Sequence, residues 1–185
     1  YADFSQSYGY NRFDYRITNT LNASIANVNG GRSPTEFDAG GFAFSQYTTN
    51  IDFSRYFDGY FQGLNVAYGA EYRKENYEIF AGEPGSFIDA DGAGGGNAGS
   101  QGFPGFQPGD VVDKSRNNYA VYGDLEATLS DRLTADVALR YENYSDFGNT
   151  LDGKLAAAFR ANDIVVIRGS VSTGFRAPGL QQRYF

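Results

Sequence analysis

The chain has 185 residues and a formal net charge of −7, with no cysteine, histidine or methionine. These numbers exclude a disulfide framework or thiolate site, remove the commonest general base and metal ligand, and argue against a nucleic-acid partner, which selects a basic face. Aromatics reach 17%, all tyrosine and phenylalanine, beside 24 glycines and 5 prolines, a balance that favours pleated strands over a solvated tail.

Taken in chain order, the elements announce themselves by strict alternation. Residues 4–15 form a first candidate strand of uncertain phase, followed by a long link over 19–41. Next, Tyr47, Thr49, Ile51 and Phe53 oppose Gln46, Thr48, Asn50 and Asp52. After the turn "DGYFQG", Leu64, Val66, Tyr68, Ala70 and Tyr72 oppose Asn65, Gly69, Glu71 and Arg73. A glycine-rich link spans 81–116. Beyond it, Tyr119, Val121, Leu125, Ala127 and Leu129 oppose Asn118, Tyr122, Asp124, Glu126 and Thr128. Past "SDR", Leu133, Ala135, Val137, Leu139 and Tyr141 oppose Thr134, Asp136, Arg140 and Glu142. After "SDFGNT", Leu155, Ala157 and Phe159 oppose Lys154, Ala156 and Arg160. After "AND", Val165, Ile167, Val171 and Phe175 oppose Val166, Arg168, Ser170, Ser172 and Arg176.

This reading gives about seven strands, most meeting the roughly 9–11 residues of a tilted membrane strand. No run approaches the roughly 18 apolar residues of a spanning helix. Tight turns alternate with long links, apart from the short "SDFGNT", and the apolar faces end in tyrosines at Tyr119, Tyr141 and Tyr144. Short turns on one edge, long loops on the other and aromatic belts describe an all-β, antiparallel transmembrane β-barrel with its turns on the periplasmic side. The competing reading is a soluble sandwich, whose strands are shorter, five or six residues being typical. Seven strands are too few to close a bacterial barrel, and open edges in lipid are costly. The chain therefore reads as a slice of a larger barrel, one partial barrel domain over 1–185, starting at Tyr1 as a processed or truncated product. Phe185 resembles a barrel-closing aromatic, but "APGLQQRY" before it lacks alternation, so that ending reads as accidental.

Several stretches carry a family resemblance: "RGSVSTGFRAPGLQQRYF", "LRYENYSDFGNTLDGKLAAAFR", "AYGAEYRKENYEIFAGEP" and "QGFPGFQPGD". In order and spacing these resemble the barrel of TonB-dependent outer-membrane receptors, from about Leu64 onward and more loosely before it. The resemblance implies a 22-stranded barrel in the outer membrane of a Gram-negative bacterium, plugged by an N-terminal domain and energised through TonB. It also implies import of a scarce nutrient such as an iron–siderophore chelate, cobalamin or an oligosaccharide. Neither plug domain nor TonB box lies in these residues. The expected partners are outer-membrane lipid, the remaining barrel and plug, the TonB complex and the substrate.

Candidate functional residues follow from chemistry and position. The glycine-rich link 81–116 reads as a mobile extracellular loop in which Phe103 and Phe106 offer apolar ligand contacts around Pro104-Gly105; the plainer reading is packing against neighbouring loops. Tyr122 is a lumen aromatic suited to stacking on sugars or aromatic chelators, or to packing. Charges on the lipid side would each cost about 2–4 kcal/mol at the midplane, so the ionic face belongs in the lumen, where opposite signs on neighbouring strands hold register. Glu126, Glu142, Arg140, Arg168 and Arg176 are lumen-facing candidates, the three arginines also for breakable contacts with a plug. Asp89-Ala90-Asp91-Gly92 lacks the further oxygen ligands of a calcium loop, so no metal site is assigned. No cofactor is implied, and no serine or carboxylate pair has the activating partners that catalysis needs. The alternatives to an energised receptor are a passive porin and, less favoured, a soluble β-rich adhesion or carbohydrate-binding protein.

Overall fold

The computed structural model describes residues 1–184; Phe185 lies outside the described residues. Seven antiparallel strands form one sheet in chain order: β1 (Ala2–Thr18), β2 (Glu36–Phe57), β3 (Leu64–Phe80), β4 (Val112–Ser130), β5 (Leu133–Tyr144), β6 (Gly148–Arg160) and β7 (Val166–Ser172). Two short helices are present: α1 (Ala23–Val28) between β1 and β2, and α2 (Leu180–Tyr184) after β7. Among the described residues no helix is long and apolar enough to cross a membrane.

The period-2 pattern sets the register. Val121 lies opposite Tyr141 and Leu125 opposite Val137 on one face, while Tyr122 meets Arg140 and Glu126 meets Asp136 on the other. Across β5 and β6, Val137 pairs with Leu155 and Tyr141 with Leu151, while Ala138 faces Lys154. Across β6 and β7, Leu155 pairs with Val171 and Phe159 with Ile167, while Ala158 faces Arg168. A slip of one residue would send every charge to the apolar side, so the pairing is strongly specified.

Several boundaries differ from the sequence reading. Strand β2 begins at Glu36, inside the expected link 19–41, because the later loop folds onto residues 38–39: Glu83 N donates to Asp38 O (2.9 Å) and Phe106 N to Ala39 O (3.0 Å). Those bonds override the weak strand preference of Ala39-Gly40-Gly41. Gly40 has φ +77°, and a Cβ there would lie 2.6 Å from Gly82 N, so the crossing requires glycine. The second link ends at 111, since β4 starts at Val112. β7 stops at Ser172, and Thr173 N makes a last bond to Gly153 O (2.9 Å); Phe175 and Arg176 are therefore off the strand. Tyr144 belongs to the Glu142 face and not to the apolar face, as its even position requires; its hydroxyl donates to Glu142 Oε2 at 2.7 Å.

The chain divides into two compact units. The first comprises 1–8, 46–74 and 116–179. Its apolar side carries no second layer: Val121, Leu139 and Ile167 are 55%, 56% and 61% exposed. The second comprises 9–45, 75–115 and residues from 180 onward. It holds an apolar cluster in which Tyr77, Ile79 and Leu180 are buried against Phe42, Phe44, Phe106, Val112 and Tyr184.

Candidate functional site

Within the first unit the polar face carries a closed ionic chain. Strand β3 supplies Glu71 and Arg73, two residues apart on one face, and Arg73 Nη2 lies 2.5 Å from Glu71 Oε1. Arg140 on β5 reaches Glu71 Oε2 at 3.5 Å and Glu142 Oε1 at 2.8 Å. Glu142, only 7% exposed, also accepts from the Tyr144 hydroxyl. The Arg140 guanidinium sits 5.2 Å from the Tyr122 ring centroid, and the Tyr122 hydroxyl donates to Asp52 Oδ1. Two arginines thus balance two glutamates, each charge held by an opposite one, as charges shielded from bulk water require.

Where the strands end, Arg116 on β4 is nearly buried. Its Nη1 donates to Pro178 O (2.7 Å) and lies 3.8 Å from Asp146 Oδ2, with its Cζ 5.5 Å from the Tyr144 ring centroid. The Tyr144 ring stacks on Phe147 at 4.3 Å, and Phe175 meets Tyr144 edge-on and Phe147 at a tilt. Farther along the same face, Glu126, Asp136, Lys154 and Arg168 line a trough of ≈ 620 Å³ floored by Ala156 and Ala158. Lys154 Nζ pairs with Asp136 Oδ2 at 3.0 Å across the β5–β6 ladder.

The second unit contains the long connections, and they are interlocked. Asn22, fully buried, caps α1 by accepting from Ile25 N (3.2 Å) and from the Ser24 hydroxyl (2.7 Å). Its amide donates to Gly85 O and Ile88 O, both at 3.0 Å, in the other loop. Thr20 Oγ1 donates to Gln101 O (2.8 Å), Gln101 N to Leu21 O (3.0 Å), and Ala90 N to Ser24 Oγ (2.9 Å). Ser86 O accepts from both Ser100 N and Gly105 N, each at 2.9 Å. Where glycine content pointed to a loop that can move, buried polar groups bonded on both sides tie the two connections together.

The acidic turn has a comparable role. Asp89 Oδ1 accepts from Gly92 N (2.9 Å), and Asp91 Oδ2 accepts from Asn27 Nδ2 (2.5 Å) and Gly96 N (3.0 Å). The Asn27 hydrogen bond holds the Asp91 carboxyl below the usual carboxylate range. These carboxylates tie turn backbone together, and among the described residues no cluster of three or more His, Cys, Asp or Glu side chains is placed to hold a metal.

Phe103 and Phe106 meet edge to face at 5.6 Å, and Tyr15 lies 5.2 Å from Phe103 and 6.2 Å from Phe106. Both phenylalanines are half-buried and still border a pocket of ≈ 490 Å³ with Pro104, Ile79, Val112 and Tyr184. The sequence candidates are therefore divided. Phe103 and Phe106 belong to the second unit, whereas Tyr122, Arg140 and Glu142 share the ionic chain of the first. Glu126 and Arg168 border the alanine-floored trough, and Arg176 lies in the segment after β7. Sequence reasoning missed Tyr15, Arg116, Asn22 and Ser86. Only Asn22 left a trace, as a helix-capping residue ahead of "ASIANV".

A continuous antiparallel meander with one ionic face and one bare apolar face defines a wall of the transmembrane β-barrel class. The family model for the TonB dependent receptor-like β-barrel matches residues 1–185, and the chain belongs to that family. No curated protein and no solved structure matches the chain. The family is a transporter family of the Gram-negative outer membrane whose members combine a barrel with a plug and interact with TonB, which gives this chain a receptor-type transport role.

Proposed function

We propose that the chain forms a sector of the wall and outer loops of a receptor that imports one scarce nutrient, an iron–siderophore chelate, cobalamin or an oligosaccharide. The apolar side of β3 to β7 meets hydrocarbon, the ionic side faces the lumen, and the long connections face outward. Phe103 and Phe106 supply aromatic surface to the bound substrate, in a pocket whose neighbours Gln107 and Asp110 offer polar contacts. The observation that carries this reading is the pocket's setting: its aromatic wall belongs to loops fastened by buried hydrogen bonds, so little ordering entropy is spent on binding. Arg140 and Glu142 are committed to the wall, so Arg168 and Glu126 are the better candidates for breakable plug contacts, with Arg176 beyond the strand.

The test uses the full-length receptor in cells lacking other uptake routes. Accumulation of one labelled nutrient class should require TonB, and Phe103→Ala with Phe106→Ala should weaken its binding at least tenfold. Uptake without TonB, with ohmic conductance and no saturable binding, would identify a porin instead.

A further inference from the structure

Two mid-strand glycines of the apolar face meet open space: Gly169 of β7, where a Cβ would have nothing within 4 Å, and Gly123 of β4, which floors an apolar trough. Gly69 on β3 is accounted for, because a Cβ there would lie 2.7 Å from the Tyr122 ring and 2.6 Å from Asp52 Oδ1. Gly123 in mid-β4 is different. Its φ lies outside the left-handed region, and a Cβ would have only Ala67 O nearby, at 3.9 Å. Glycine weakens a strand interior and often marks where something else approaches the backbone closely. Gly123 lies opposite Leu139, which lies opposite Gly153. Around Gly123 the side chains of Tyr68, Val121, Leu125, Leu139, Tyr141 and Leu151 enclose a trough of ≈ 470 Å³. From Val121 to Leu125 it runs about 13 Å along β4, at roughly 3.3 Å per residue.

We propose that this trough seats one acyl chain of a bilayer phospholipid, held against the backbone of Gly123 and flanked by the rings of Tyr68 and Tyr141. The proposal rests on the reading that the apolar face meets hydrocarbon, and adds a defined lipid site to it. A methylene chain matches the trough in shape and in its lack of polar lining. A second protein copy does not, because specific interfaces clear roughly 1,000 Å² and a groove one glycine wide offers only a fraction of that. The outward positions of β4, β5 and β6 from Tyr119 to Leu129, Leu133 to Tyr141 and Leu151 to Phe159 carry no lysine or arginine, so the seat holds the lipid by its chain and not by its headgroup.

The experiment places the full-length receptor in phosphatidylethanolamine vesicles containing a tracer phosphatidylethanolamine with a photoactivatable diazirine in its acyl chain. After irradiation, labelled peptides are mapped by mass spectrometry. Label should concentrate on 121–125 and 137–141, fall about fivefold in Gly123→Leu, fall partly in Gly123→Ala, and persist in Val171→Leu, a change elsewhere on the same face. Heat-modifiable migration in electrophoresis verifies a folded barrel for each variant, and Gly123→Ala serves if Gly123→Leu does not fold. Labelling spread evenly along the face and indifferent to Gly123→Leu would overturn the acyl seat while leaving the lipid-facing assignment intact. Protein–protein crosslinks through 121–125 would overturn it in favour of a second copy. No label anywhere on the odd-numbered face of β4 to β6 would overturn the assignment of that face itself, and the seat with it.

Discussion

Replacing Asn22 by alanine is the sharpest perturbation of the loop platform. The side chain is fully buried and makes four hydrogen bonds: two donated to Gly85 O and Ile88 O, and two accepted from Ile25 N and Ser24 Oγ. Losing an N-cap costs about 1 kcal/mol, and leaving Gly85 O without a donor about 1 kcal/mol more, whereas Ile88 O keeps the Ser24 hydroxyl and Gly99 N. The sum, about 2 kcal/mol, falls on local opening of the loops, because no strand pairing depends on Asn22. Hydrogen exchange on the full-length receptor reads this directly. Amides of Ile25, Ala90, Gln101 and Ser100 should exchange roughly 30-fold faster, while those of β5 and β6 remain unchanged. Asn22→Asp keeps both acceptor roles and should fall between the two. Unchanged exchange at Ser100 and Gln101 in Asn22→Ala would refute the interlocking.

Three further outcomes follow from the same geometry. Arg140→Met removes the cation bound to Glu142 and leaves Glu71 with Arg73 alone, and should lower stability by about 1–3 kcal/mol in thermal unfolding, with partial recovery in Arg140→Lys; Glu142→Gln, which keeps the Tyr144 bond, should cost less. Because Asp91 has a depressed pKa in the folded loop, its contribution is complete above the unfolded value of about 3.9 and is lost as pH falls through the folded one. Exchange protection around 90–96 should therefore hold from pH 7 to pH 5 and decline only in stronger acid, a decline absent from Asp91→Asn. Gly69→Ala should disturb the bond between Tyr122 and Asp52, since the new methyl would collide with both; a receptor melting within a degree of the parent would contradict that.

The strands were legible because a half-buried sheet writes its two faces into alternate residues. Leu133 to Tyr141 and their even neighbours predict β5 and both of its registers without further information. The same rule, applied strictly, would have placed Tyr144 beside Glu142. The loops were not legible, since their order comes from pairs far apart in sequence. Asn22 with Ile88, and Phe106 with Ala39, leave no periodic trace, and glycine-rich text looks mobile whether or not its backbone is bonded. Arg116 illustrates the same limit: the segment after β7, a carboxylate at Asp146 and a ring at Tyr144 converge on it, and only the fold brings them there. Phe103 and Phe106 were singled out by residue type alone, without Tyr15 and Tyr184 that complete their surroundings.

The central claim is that alternate residues of these strands look into hydrocarbon and into a guarded polar interior. Single nitroxide labels at each position from 134 to 142 of the full-length receptor in lipid vesicles test it most directly. Collision with oxygen should peak at 135, 137, 139 and 141, and fall at 134, 136, 138, 140 and 142, giving a period of two. Odd positions shielded from oxygen, or even and odd positions equally open to a water-soluble nickel chelate, would contradict it.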